Sequence, residues 1–245
     1  LGVFLSGGLD SSTIAAYMAQ ALNRPVQSFS IAFEDPSFDE SRYASRVAQH
    51  LGLQHREQVL TEPMMWELVP RLADILDEPL GDSSIIPCYL LAQFARKYVT
   101  VALGGDGGDE LLAGYSTMQA HRLTSFYNRI PSFLRQRVIT PAVQRLPVSH
   151  NNLSFDYKAK RFVAWAELPV PERHHLWLGS FSPEEKESLL RPEVRSQLSE
   201  NAFSVAREHF QEAECREDLD RVLYTDMKLY LDTDMLAKVD RSSMA

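Results

Sequence analysis

Up to about residue 115, short apolar runs alternate with amphipathic stretches. Gly2–Leu5 is apolar and breaks at Ser6-Gly7-Gly8, which predicts a buried strand running into a turn. Ser11–Leu22 is rich in helix formers and sets Ile14, Met18 and Leu22 on one face; Pro25 stops that helix. Val26–Phe33 reads as a second strand, and Glu40–Leu51 as a second helix closed by Gly52. His55–Val59 predicts a third strand, followed by a helix from about Met64 to Leu76. A Pro79/Gly81 loop and a helix over about Ile85–Lys97 lead to the apolar strand Val99–Leu103. This alternation predicts an α/β fold, a parallel sheet sandwiched by helices.

Beyond Gly114 the pattern changes. Residues 116–215 show no strand alternation, and prolines at 131, 141, 147, 169, 171, 183 and 192 cut the stretch into short helices. Asp218–Ala245 reads as a long helix or a helix pair, with Leu219, Val222, Leu223, Met227 and Tyr230 on its apolar face. The expected organisation is a nucleotide-binding core over 1–115, a helical region over 116–215, and a helix over 216–245 that returns to the active site. The chain starts inside a strand and ends without a polar tail, so both ends are expected to be cuts in a longer protein.

Composition adds little to this picture. With 44% hydrophobic and 24% charged residues the chain is an ordinary globular protein, and no run nears the roughly 18 apolar residues of a membrane helix. Neither a secretory signal nor a cysteine pattern is visible, Cys88 and Cys215 being far apart, so the cytoplasm is the expected compartment. A net charge of −8 argues against a nucleic-acid partner. The charge is uneven, because residues 111–161 hold eight cations against the single anion Asp156. That stretch is expected to be an exposed helical face docking on an acidic surface, or a site that recruits an anionic ligand.

The strongest chemical signal is Ser6-Gly7-Gly8-Leu9-Asp10-Ser11-Ser12, between a strand and a helix. Glycines let the backbone turn tightly and approach a ligand, while the unpaired N–H groups and dipole of the helix favour an anion. Ser6, Ser11 and Ser12 bring hydroxyls to the same mouth. Asp10 is repulsive beside a phosphate unless a cation such as Mg²⁺ lies between them. A second glycine turn, Gly104-Gly105-Asp106-Gly107-Gly108-Asp109-Glu110, follows the strand Val99–Leu103 and runs on to Gly114-Tyr115.

The first loop lacks the motifs of kinase-type phosphate loops and of dinucleotide folds. It resembles the pyrophosphate loop of the ATP-pyrophosphatase superfamily, whose members cleave ATP between the α and β phosphates and adenylate an oxygen. The second loop resembles the signature of the glutamine-hydrolysing asparagine synthetases, specifically their C-terminal synthetase domain. The resemblance is dense over 1–115 and 219–245 and thin between. It implies an adenine nucleotide alpha hydrolase-like fold followed by a mostly helical region.

It also implies roles, matched residue by residue. The Ser6–Ser12 loop, including Leu9, would hold the ATP phosphates, with Asp10 and Asp109 on the pyrophosphate Mg²⁺. Gly104 and Gly105, with Phe4 and Ile31 at the first two strand ends, would form the adenosine pocket. Asp106 matches the acid at the acyl-transfer centre, where asparagine synthetases usually have Glu and β-lactam synthetases Tyr. Asp82 and Ser83, in the loop after Asp77-Glu78-Pro79, either face substrate or cap the next helix. Asp232 and Asp234 match the region near the substrate ammonium, and Lys238 or Arg241 would meet a carboxylate or phosphate. The other reading of this stretch is helix-surface pairing such as Asp234 with Lys238. His55 reads as structural.

The implied reaction is adenylation of the aspartate β-carboxylate by ATP, then attack of ammonia to give asparagine and AMP. The ammonia would come from a glutaminase domain, expected to precede this region, and a lysine-bearing segment to follow it. No membrane is involved, and a homodimer is the assembly left open. Two alternatives stand: an amidotransferase for another carboxylate (a surface sugar, a peptide or a β-lactam precursor), and a non-catalytic nucleotide-binding module.

Overall fold

The computed structural model describes residues 1–179, 181–197 and 203–244. Parts of the expected helical region (180 and 198–202) and the final residue of the expected C-terminal helix, Ala245, lie outside the described residues. The chain divides into two compact units, one of residues 1–109 and 231–245, the other of residues 110–230.

The first unit is a parallel α/β sandwich. Its elements run β1 (Gly2–Phe4), α1 (Leu9–Ala21), β2 (Gln27–Phe33), α2 (Ser41–Leu51), β3 (Gln54–Leu60), α3 (Glu62–Ile75), α4 (Ile85–Arg96) and β4 (Ala102–Leu103). The sheet order is β3-β2-β1-β4, with every neighbouring pair parallel. Local signals behave as the sequence predicts: α2 ends at Gly52 with φ +66°, and Pro63 occupies the first turn of α3. The expected strand Val99–Leu103 forms a ladder only at its end. Its neighbour β1 is three residues long and pairs Gly2 with Ala102 and Val3 with Leu103.

Helices cover both faces of the sheet. Val3, Leu5 and Val26 pack with Ala15 and Met18 of α1 and Ala44 and Ala48 of α2. A second cluster, Leu60, Leu68, Tyr89 and Leu90, joins the sheet to α3 and α4, with Ile31 and Phe33 against it. Phe29, fully buried, meets Phe94 edge-on at 5.9 Å. Burial of such a ring contributes about 2–3 kcal/mol. His55 is structural, as expected: its ring nitrogens hydrogen-bond Ser28 Oγ at 3.0 Å and Ser30 Oγ at 3.3 Å. Burial pushes its pKa below the ordinary imidazole value.

The second unit begins within α5 (Gly108–Leu112) and continues through α6 (Ser116–Tyr127), α7 (Ser132–Leu134), a π-helical turn over Arg135–Ile139 and α8 (Thr140–Gln144). Then come α9 (Phe155–Trp165), α10 (Val170–Leu178), α11 (Pro183–Leu189), α12 (Pro192–Arg195), α13 (Ser204–Glu212) and α14 (Asp218–Asp226). Its core gathers Tyr127, Ala166 and Trp177 with Phe162 and Trp165. Part of the basic stretch turns inward rather than forming an open face. Arg135 pairs with Glu167 at 2.9 Å, Lys160 donates to the Leu146 carbonyl at 2.9 Å, and Arg161 donates to the carbonyls of Leu176 and Gly179.

A buried hydrogen-bond chain runs through this unit. Arg173 Nε donates to His121 Nδ1 at 3.2 Å, His121 Nε2 meets His174 Nδ1 at 3.0 Å, and His174 Nε2 meets Asp226 Oδ1 at 2.7 Å. Because Arg173 can only donate, His121 carries its proton on Nε2 and each link passes one donor onward. After α14 the chain follows a π-helical segment, Met227–Leu236, and ends in α15 (Ala237–Met244).

Candidate functional site

The order β3-β2-β1-β4 means the chain builds outward from β1 to β3, then returns to lay β4 on the other side of β1. Beyond the carboxyl ends of β1 and β4 this leaves a crevice, the position where open parallel sheets bind ligands. Both glycine turns leave the sheet there, all within the first unit.

The turn after β1 is shaped by crowding. Gly7 has φ +86°, and a Cβ there would lie 2.5 Å from the carbonyl carbon of Tyr43 and 2.6 Å from the nitrogen of Ala44. Only glycine meets both demands. Gly8 precedes α1, and no side chain caps that helix, so its first N–H groups remain open to an anion. Two of the serines brace the loop itself. Ser6 Oγ and Ser11 Oγ are 3.0 Å apart, and the Gly8 N–H donates to Ser6 Oγ at 3.2 Å. Ser12 Oγ is buried and has no hydrogen-bond partner among the described residues.

The turn after β4 closes on the first. A Cβ on Gly105 would stand 3.1 Å from the Ser11 nitrogen, and one on Gly108 only 2.6 Å from the carboxyl carbon of Asp10. Asp10 is therefore pressed against the backbone that carries Asp109, its neighbour in α5. Among the described residues no group of three or more His, Cys, Asp or Glu side chains can hold a metal alone. Two carboxylates such as those of Asp10 and Asp109 have the hard oxygen donors that a divalent cation would take. Glu110, next in the motif and 1% exposed, accepts a hydrogen bond from Tyr115 Oη at 2.6 Å, so this pair holds the motif's own fold.

Asp106 is exposed and lines a cleft of about 650 Å³ with Phe4, Gly104, Tyr89, Gln93 and Ser242. A side chain at Gly104 would collide with its carboxylate. Phe4 and Gly104 thus line one cleft, whereas Ile31, half-buried, packs against the cluster of Leu60, Leu68, Tyr89 and Leu90.

The remaining candidates come from the loop before α4 and from the stretch 232–241 that runs into α15. Lys238 Nζ donates to Asp82 Oδ2 at 2.7 Å, not to Asp234. Burial raises the Asp82 pKa, but the hydrogen bonds from Lys238 and Ser84 outweigh it and hold the carboxyl below its ordinary value. No side chain caps α4; Asp82 instead accepts the Ser84 N–H at 2.9 Å, and Ser83 is exposed. Asp234 Oδ1 is buried and has no hydrogen-bond partner among the described residues, and burial with the nearby Asp82 charge raises the Asp234 pKa. Asp232 is exposed, and Arg241 pairs with Asp77 at 2.5 Å. The two ion pairs escape sequence reasoning, since Lys238 and Asp82 lie 156 positions apart.

The asparagine synthase family model matches residues 1–245. Asparagine synthetase [glutamine-hydrolyzing] 1 of Bacillus subtilis is 29% identical over 245 residues, all of this chain and 37% of that protein. A Methanocaldococcus jannaschii relative is 42% identical over 137 residues, 55% of this chain and 26% of that protein. Human asparagine synthetase [glutamine-hydrolyzing] is 31% identical over 124 residues, 47% of this chain and 22% of that protein. The chain therefore spans little more than a third of the length of these relatives, at most. No helix among the described residues is long and apolar enough to cross a membrane.

Proposed function

This chain belongs to the asparagine synthase family, and we propose that it carries out the ATP-dependent half of amide synthesis. A carboxylate oxygen of the substrate, the β-carboxylate of aspartate, attacks the α-phosphorus of ATP and pyrophosphate leaves. Ammonia then attacks the acyl carbon of the adenylate, AMP departs, and the amine loses a proton. The ammonia would be supplied by glutamine hydrolysis in the full-length protein, as the names of the relatives state for them.

One observation supports this reading above the others: the two glycine turns close on each other at the ends of β1 and β4, with Asp10 against Gly108. The uncapped N-terminus of α1 offers backbone N–H groups to the β and γ phosphates. Ser12 Oγ, buried and with no hydrogen-bond partner among the described residues, is a donor that a phosphate oxygen would satisfy. Asp10 and Asp109 would hold Mg²⁺, which when bound neutralises the leaving pyrophosphate. Phe4 and Gly104 bound the place for the nucleoside, and Asp106, exposed in the cleft beside them, positions or deprotonates the attacking amine. Asp106 stands where asparagine synthetases usually have Glu, and this departure favours a related amidotransferase with another carboxylate as the second reading.

The test is ATP–pyrophosphate exchange by the full-length enzyme with a panel of carboxylates. Exchange that depends on aspartate supports the reading in full. Exchange only with another acid keeps the adenylation and overturns the substrate. No exchange with any acid favours a non-catalytic nucleotide-binding module.

A further inference from the structure

Two ion pairs join one loop to one helix. Lys238, on α15 and 3% exposed, donates to Asp82 Oδ2 at 2.7 Å and to Ser84 Oγ at 2.8 Å, and its third direction meets Met235 Sδ at 3.3 Å. Three residues on, Arg241 reaches Asp77 Oδ2 at 2.5 Å. Positions three apart share a helix face, and Asp77 and Asp82 bracket the bend at Pro79 and Gly81. Asp82 is equally committed, because its Oδ1 accepts the Ser84 N–H at 2.9 Å and its Oδ2 the Ser84 hydroxyl at 2.8 Å.

A lysine that meets a substrate needs a free N–H direction and a path to solvent, and Lys238 has neither. What the pair does hold together is the start of α4, at Ser84, and the body of α15. These two helices line the same cleft as Phe4 and Asp106, through Tyr89 and Gln93 from α4 and Val239 and Ser242 from α15. Any slip of α15 along α4 changes the width of that cleft.

We infer that Lys238 is a positioning residue, not a substrate ligand: with Asp82, and with Arg241–Asp77 as a second fastening, it straps α15 to the head of α4 and fixes the cleft beside Asp106. What that cleft binds rests on the proposed function; the strap rests on geometry alone.

The decisive experiment is a double-mutant cycle in the full-length enzyme, with Lys238→Met, Asp82→Asn and the double variant. Pyrophosphate exchange gives kcat and KM for the carboxylate and for ATP, and hydrogen–deuterium exchange reads peptides over 77–88 and 236–244. Each single variant is expected to raise the KM for the carboxylate and for ATP about tenfold, because Asp106, Phe4 and Gly104 line the same cleft, and the double variant to be no worse than the poorer single. Both peptides are expected to lose protection in each single variant. Multiplication of the two single effects in the double variant would mark Lys238 and Asp82 as independent substrate ligands and overturn the strap, as would unchanged protection. Lys238→Arg, which retains the charge, is expected to recover most of the KM, and with the double variant it keeps the comparison available if Lys238→Met does not fold. Wild-type enzyme without exchange on any carboxylate would remove the proposed function, while the deuterium readout would still decide the strap.

Discussion

Gly108 is packed so closely on Asp10 that a Cβ at position 108 would lie 2.6 Å from the aspartate's carboxyl carbon and 2.8 Å from its Oδ1. Glycine is needed here for approach, not for backbone freedom. Gly108→Ala must push Asp10 aside, and a displacement of about 1 Å at a reacting centre costs on the order of 100-fold in rate. The expected result is a loss of that size in kcat for pyrophosphate exchange, with little change in Tm. Gly81→Ala serves as the control, because nothing lies within 4 Å of a Cβ there. Equal activity of the two variants would mean that the contact has no bearing on the chemistry.

Asp10→Asn separates charge from shape. The amide keeps the volume that fills the space against Gly108 but cannot neutralise a cation as a carboxylate does. Exchange is expected to fall by about 100- to 1000-fold and the half-saturating Mg²⁺ concentration to rise, since a charge-stabilising group at a reacting centre is worth that much. A variant with wild-type Mg²⁺ dependence would remove Asp10 from the metal site.

What the sequence made legible is what depends on local order. The sheet follows from apolar runs a few residues long, and the two turns follow from glycines next to strand ends, so β1–β3 and both loops fall where the pattern places them. β4 is shorter than its apolar run because its length is set by β1, a neighbour about 100 positions away. The same limit hides the side-chain pairings. Nothing around Lys238 announces Asp82, and the helix-surface partner suggested by spacing, Asp234, is not the one it finds. Arg135, Lys160 and Arg161 look like a solvated basic face, yet their targets include backbone carbonyls, which leave no mark in a sequence. Periodicity reports which face is buried; it does not report which buried polar group meets which.

The chain from Arg173 to Asp226 carries an expectation about pH. His121 is held neutral, its pKa lowered to about 3 first by burial and then by His174 and the Arg173 cation. Its Nδ1 already accepts from Arg173 at 3.2 Å, so a proton there would break a hydrogen bond and place two cations together. Asp226 lies one link further on, beyond His174, and Asp218 acts on Arg173 rather than on the ring. In the unfolded chain the same imidazole takes up its proton near pH 6.5. Below that pH the unfolded state binds a proton that the folded state refuses. The stability present above about pH 6.5 is therefore lost as pH falls toward 3, by up to about 3 kcal/mol between pH 7 and pH 4 from this group. His121→Gln keeps one acceptor and one donor in the chain and removes the titration. Denaturant unfolding at a series of pH values, followed by tryptophan fluorescence because Trp177 packs edge-on against His121 at 4.9 Å, reads the difference. The variant is expected to show a shallower loss of stability between pH 6.5 and pH 4 than the wild type. Parallel curves for the two proteins would show that His121 binds its proton alike in both states, and the buried chain would then be no source of acid sensitivity.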